Sequence, residues 1–289
     1  MSRTMPQAAA KAGFRESFEQ LKQAQKSRKG VPLYLLWVNR PAGRVIAAAL
    51  RNTRIRPNHV TFAGAVLTYG SLLWLAFGAG ADPSSALVGV LLALGYALDS
   101  ADGQLARLQG SSSAYGEWLD HILDNGRIAV MHVAVFCFLF RNTDYDPVLL
   151  ASLTGAFLFA SSTIFFGGAL LDQLRRNAAA RAAEQVQAGR QKRNGTPGPV
   201  IGRSGRSRAV PGPTNGAAAG TANAAAESRR LMRRSIVTLP VDYGVTCLAF
   251  LLLPLPGVFV SVYAGLAAAH VLMCAAFLPK WRSELLGLA

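Results

Sequence analysis

"LDSADGQLARLQGSSSAYGEWLDHILDNGR", residues Leu98 to Arg127, sets Asp99, Asp102, Asp120 and Asp124 between two apolar runs. Upstream lies "SSALVGVLLALGYA" and downstream "IAVMHVAVFCFLF", joined through the short polar turn "QGSSSA". Helices of about 20 apolar residues cross a bilayer. Each run, with its share of the quoted stretch, reaches that length. Ionised side chains at membrane depth are costly unless paired or metal-bound, so four acids here mark function before structure.

The rest of the chain agrees with a membrane setting. Of 289 residues, 51% are hydrophobic and only 16% charged, against about 25% charged in soluble domains. Six spans are expected, near Val60–Ala79, Ala86–Leu108, Tyr115–Phe140, Val148–Leu171, Ile236–Leu255 and Val258–Phe277. The connectors "GAGADPSS", "NTDYDP" and "PLPG" hold no Lys or Arg, with Arg141 at the lip of one. Basic residues gather instead before Pro57, between Arg175 and Arg234, near the second connector and in the tail. Positive-inside bias then puts both termini and the acidic turn on the cytoplasmic side. The expected fold class is all-α, a polytopic membrane protein with six transmembrane helices. The excess of Arg over Lys, twenty-four to six, points to a GC-rich bacterial genome and a bacterial cytoplasmic membrane.

Residues 1–56 read as an N-terminal arm with interfacial amphipathic helices. Phe14, Phe18 and Leu21 recur at helical spacing, and "PLYLLWVNRPAGRVIAAAL" is too interrupted for a seventh span. Residues 57–279 form the expected catalytic membrane domain. Within it, 177–228 is rich in Pro, Gly, Ala and Arg and reads as a disordered basic loop. Residues 280–289 are the cytoplasmic tail. The net charge of +15 is clustered beside spans, where it meets anionic lipid. No aromatic residues interleave with the arginines, so nucleic acid is not an expected partner. Cys137, Cys247 and Cys274 lie in apolar runs as buried small hydrophobes.

Spacing assigns the acids to two stripes. Asp99, Asp102 and Ala106 stand at i, i+3 and i+7; Gly116, Asp120 and Asp124 at i, i+4 and i+8. Antiparallel neighbours bring the four carboxylates to one depth, where they repel unless neutralised. Two divalent cations balance them. No Cys or His shares either stripe, and hard oxygen ligands select Mg²⁺ or Mn²⁺. His121 points about 100° from Asp120 and reads as a packing residue. Paired metals clamp a phosphoryl group during in-line displacement. Gly103 and Gly116 leave room for a bulky ligand, and Arg107 supplies a cation for a phosphate or nucleotide.

Asp99-x2-Asp102-Gly103-x2-Ala106-Arg107-x8-Gly116-x3-Asp120-x3-Asp124 resembles the full signature of the CDP-alcohol phosphatidyltransferase family. "RPNHVT" at Arg56–Thr61 resembles the Pro-Asn start of the first span in many members. The resemblance implies a homodimer of six-helix protomers that transfers a phosphatidyl group from a CDP-linked lipid, usually CDP-diacylglycerol, to an alcohol with release of CMP. It implies that Asp99, Asp102 and Asp120 hold the two metals. It further implies that Asp124 binds one metal and deprotonates the acceptor hydroxyl, and that Gly103, Ala106, Arg107 and Gly116 contact the nucleotide.

For the acceptor, candidates are inositol phosphate, glycerol phosphate or another polyol. Arg127, on the Asp120/Asp124 stripe, and Asp242, in the fifth expected span, are the candidate binding residues. "GSSSAYGEWLDHILD" also resembles the choline and ethanolamine phosphotransferase branch, in which diacylglycerol is the acceptor. An Mg²⁺-dependent intramembrane prenyltransferase is a third reading, but it normally carries two separated Asp-rich motifs. A cation transporter would place its acids near the midplane rather than at one edge.

Overall fold

In the computed structural model, which describes residues 13–23, 31–194, 236 and 238–287, the apolar runs are helices and no strand occurs among the described residues. The elements are α1 (Phe14–Gln23), α2 (Arg40–Leu50), α3 (Pro57–Phe77), α4 (Ala86–Gln109), α5 (Ala114–Asn142), α6 (Pro147–Asn194), α7 (Tyr243–Ala249) and α8 (Pro256–Leu286). α3, α4, α5, α6 and α8 are each long and apolar enough to cross a membrane. This is an integral membrane protein.

The burial pattern explains why these helices suit lipid. On α3 the inward stripe includes Val60, Gly64, Thr68 and Ser71, whereas Phe62, Val66, Leu73 and Phe77 are exposed. Small residues inside let backbones approach, and large apolar residues outside meet acyl chains. At the α3–α4 crossing, a Cβ on Gly95 would run into the Thr68 hydroxyl and lie 3.2 Å from the Gly64 carbonyl oxygen. α3 packs on both α4 and α5, which scarcely touch each other; α5 packs on α6, and α6 on α8. Leu72, Leu75, Leu92, Phe138, Phe259 and Tyr263 are among the residues of the main core.

Helix ends follow local chemistry. Arg141 donates to the carbonyls of Leu75 (2.9 Å) and Ala79 (3.2 Å), satisfying acceptors left open at the end of α3. Asp82 accepts from the Ser84 amide in the same connector. Before α2, residues Leu35–Asn39 form a π-helical turn in which the Arg40 N–H bonds the Leu35 carbonyl. Pro41 is the cause: it has no N–H to give and its ring crowds the carbonyl four residues back.

Three expectations change. The fifth span is represented among the described residues by a short apolar stretch, Tyr243–Leu252. At 1.5 Å per residue it covers about 15 Å, half a hydrocarbon core. Pro240 and an extended Asp242 start it, and Pro254 and Pro256 follow its end. The first part of the expected loop, 177–194, is helical instead, because "NAAARAAEQVQAGRQKRN" is built from strong helix formers that extend α6. The rest of that loop lies outside the described residues. The expected tail is also helical through Leu286, as the last turns of α8. α1 and α2 do form at the N-terminus, tied by Arg51 to Ser17 and Gln20 at 3.2 and 2.7 Å.

Candidate metal centre and cavity

α4 ends because Gly110 adopts a left-handed conformation (φ 62°), with its N–H and that of Ser111 closing on the Ala106 carbonyl. Gly tolerates this geometry without a Cβ clash. Ser113 then starts α5 by accepting from the Gly116 amide at 3.1 Å. This tight reversal fixes the register of the two acidic helices where they meet.

Across the gap between α4 and α5, the carboxylates of Asp99, Asp120 and Asp124 converge, with one oxygen from each lying within 4.8 Å of the others. They border a cavity of about 440 Å³. Three hard oxygen donors converging from two helices suit a divalent cation. Asp102 also borders the cavity, at 7% exposure, but its carboxylate accepts the hydroxyl of Thr61 on α3. Thr61 was not singled out as a site residue; its signal was its place at the end of the "RPNHVT" motif.

The other signature residues divide. Gly103 and Arg107 line the cavity, whereas Ala106 and Gly116 do not. A Cβ built on Gly103 would meet nothing within 4 Å, so this glycine faces open space. His121 turns away and donates to the Glu117 carbonyl at 2.7 Å.

Arg127 lies 2.5 Å from Asp124 as a buried ion pair. Its guanidinium also sits over Tyr243 (4.1 Å) and Tyr96 (5.6 Å). The cation is thereby committed to a carboxylate and two aromatic faces. Asp242 borders the same cavity, yet both its oxygens are engaged. One accepts the Gly244 amide as the N-cap of α7, and the other accepts the Leu35 amide, each at 3.0 Å. It fastens the N-terminal segment to α7. The Tyr96–Tyr243 pair and the N-terminal wall of the cavity carried no sequence signal, because residues far apart in the chain build them.

With this geometry in hand, the comparisons are direct. Residues 54–190, which hold every signature position, match the CDP-alcohol phosphatidyltransferase family model. This stretch, a little under half of the chain, is similar to that family. A bifunctional IPC transferase and DIPP synthase of Aquifex aeolicus (strain VF5) is 34% identical over 116 residues, 40% of this chain and 26% of that protein. Ethanolaminephosphotransferase 1 of Pongo abelii is 32% identical over 124 residues, 37% of this chain and 30% of that protein. The chain therefore spans under a third of the length of these curated relatives.

Proposed function

We propose that this transferase moves the phosphatidyl group of CDP-diacylglycerol onto an alcohol, releasing CMP. The observation that carries the reading is the convergence of Asp99, Asp120 and Asp124 on one cavity, inside the segment that matches the family. In the reaction, the acceptor oxygen bonds to the phosphatidyl phosphorus, the bond from that phosphorus to the CMP oxygen breaks, and the hydroxyl proton passes to Asp124. An alcohol is a poor nucleophile at neutral pH, so a positioned carboxylate contributes by removing that proton during attack. The bond that Arg127 donates to Asp124 orients the carboxylate, which supports this role. Asp99, Asp120 and Asp124, with Asp102 at the cavity edge, are the residues to hold two divalent cations, Mg²⁺ or Mn²⁺. Bound there, such ions supply stabilisation of charge on the diphosphate oxygens. Gly103 leaves space for the nucleotide, and Arg107 offers its guanidinium to a phosphate. Ala106 and Gly116, the other two nucleotide candidates, lie away from the cavity wall.

The second reading, a CDP-linked amino-alcohol donor with diacylglycerol as acceptor, is favoured by the ethanolaminephosphotransferase relative. Polyols, inositol phosphate and glycerol phosphate included, are the acceptors of the first. A homodimer in the bacterial cytoplasmic membrane, with the cavity mouth and basic residues facing cytoplasm and anionic lipid, completes the proposal.

Purified protein with CDP-diacylglycerol, Mg²⁺ and an alcohol panel should release CMP, and a chelator should stop it. Asp124→Asn should slow turnover by roughly 10²- to 10⁴-fold, the usual contribution of a general base. A near-wild-type rate in that variant, or full activity after chelation, would sink the assignment.

A further inference from the structure

Asp99 and Asp102 ride on α4, Asp120 and Asp124 on α5. These two helices scarcely touch each other, yet α3 packs along both. Besides the turn that joins them, it is therefore α3 that sets the distance between the two halves of the acidic centre. Two of its side chains reach the acid-bearing segments themselves.

Thr61 donates its hydroxyl to the Asp102 carboxylate on α4. The Pro57 carbonyl of its own helix is also within reach, at 3.2 Å, but a carboxylate is the stronger acceptor. Eight residues on, about 12 Å along the helix axis, Tyr69 donates to the Leu123 carbonyl of α5 at 2.7 Å. Leu123 precedes Asp124, and within the helix its carbonyl also takes the amide of Arg127, the residue paired with Asp124. Gly126 makes room for this contact. A Cβ there would lie 2.5 Å from the Tyr69 hydroxyl oxygen, though 3.6 Å from the ring carbon that bears it. Any other residue at 126 would push the hydroxyl off its acceptor.

Thr61 and Tyr69 border a small cavity of about 20 Å³ together with Asp99, Asp124 and Arg127, and neither borders the large one. Asp99 and Asp124 border both. The two α3 side chains thus stand behind the acids, outside the space open to substrate.

Resting on the proposed metal centre, we propose that Thr61 and Tyr69 are its positioning residues. They fasten α3 to Asp102 on one helix and to the turn carrying Asp124 and Arg127 on the other. In this way they set the spacing of the carboxylates and, with it, the affinity for a divalent cation. Partners that orient metal-holding groups typically contribute about 10- to 100-fold to metal affinity.

The test is Mn²⁺ binding to the full chain in detergent, followed by the electron paramagnetic resonance of the free ion with no nucleotide present. Tyr69→Phe and Thr61→Val, which delete a hydroxyl and little else, should each raise the Kd about tenfold. Thr61→Ser, which keeps the hydroxyl, should stay within about twofold of wild type. Melting in chelator should fall by no more than about 2–4 °C, the scale of one hydrogen bond. Tyr263→Phe is the control: that hydroxyl is bonded to His132, and Tyr263 borders neither cavity, so its Kd should stay within about twofold. Gly126→Ala reaches the Tyr69 contact from α5. It should weaken Mn²⁺ binding about tenfold in the wild type and little further in Tyr69→Phe, which lacks the clashing oxygen. Unchanged affinity in either hydroxyl deletion would overturn that residue's role, and an equal loss in Tyr263→Phe would overturn both, with the metal centre left standing. A wild-type protein that binds no Mn²⁺ would instead overturn the metal centre, and this assignment with it.

Discussion

Arg127→Met tests the electrostatics of the centre most directly. The arginine is 2.5 Å from Asp124, and the two side chains are only 11% and 21% exposed. Removing one partner of a buried pair leaves the other charge uncompensated, at about 3–5 kcal/mol. Methionine recovers part of the packing against Tyr96 and Tyr243 but none of the cation–π attraction, about 0.5–2 kcal/mol per ring. Taking 3–5 kcal/mol as the net loss and 2–4 °C per kcal/mol for a chain near this size, thermal unfolding in detergent with chelator should fall by roughly 6–20 °C. Asp124→Asn added to Arg127→Met removes the stranded charge and should restore more than half of that drop. Mg²⁺ should raise the single variant more than the wild type, because a bound cation then neutralises Asp124. If Arg127→Met melts with the wild type in chelator, or the double variant is no better than the single, the ion pair is not what holds the two residues together.

Two glycines should separate substrate space from helix packing. Gly103→Leu projects into open space, so the variant should fold and melt normally while the KM of CDP-diacylglycerol rises tenfold or more. Unchanged kinetics would show that this position does not face the nucleotide. Gly95→Leu forces a side chain into Thr68 and the Gly64 backbone, an overpacking of about 1–3 kcal/mol or more. Size-exclusion chromatography should show a collapsed yield of monodisperse protein, and a well-behaved, active Gly95→Leu would contradict the close α3–α4 contact.

What could be read from the sequence was what depends on neighbours along the chain. The ends of α4 and α5 follow from Gly110, Ser113 and hydropathy, and the convergence of Asp99, Asp120 and Asp124 follows from stripes on two helices joined by one short turn. Side-chain direction was less legible. Asp102 stands three residues after Asp99, about 60° around the helix, enough to turn it from the gap toward Thr61. Asp242 read as an acid seeking a ligand because its partner, the Leu35 amide, lies 207 residues away. The short α7 was missed because hydropathy over 236–255 counts apolar residues and gives little weight to Pro240, Gly244 and Pro254 as breaks. The helix over 177–194 was hidden by averaging helix-forming residues with the Pro- and Gly-rich stretch after them.

The cavity draws its walls from two sources, and that division has a consequence. The acids, Gly103 and Arg107 belong to the 54–190 segment that matches the family. The other walls come in large part from outside it: Leu35, Asn39 and Arg40 before, and Asp242, Tyr243 and His270 after. The convergence of the carboxylates depends on α4, α5 and the tight turn between them, where a shift of one residue would rotate every carboxylate on its helix by about 100°. Among the described residues, the outer wall comes to the acids at one remove, through Tyr243 beneath the Arg127 that pairs with Asp124. Relatives whose names give different transfer reactions can therefore share this segment with one chain.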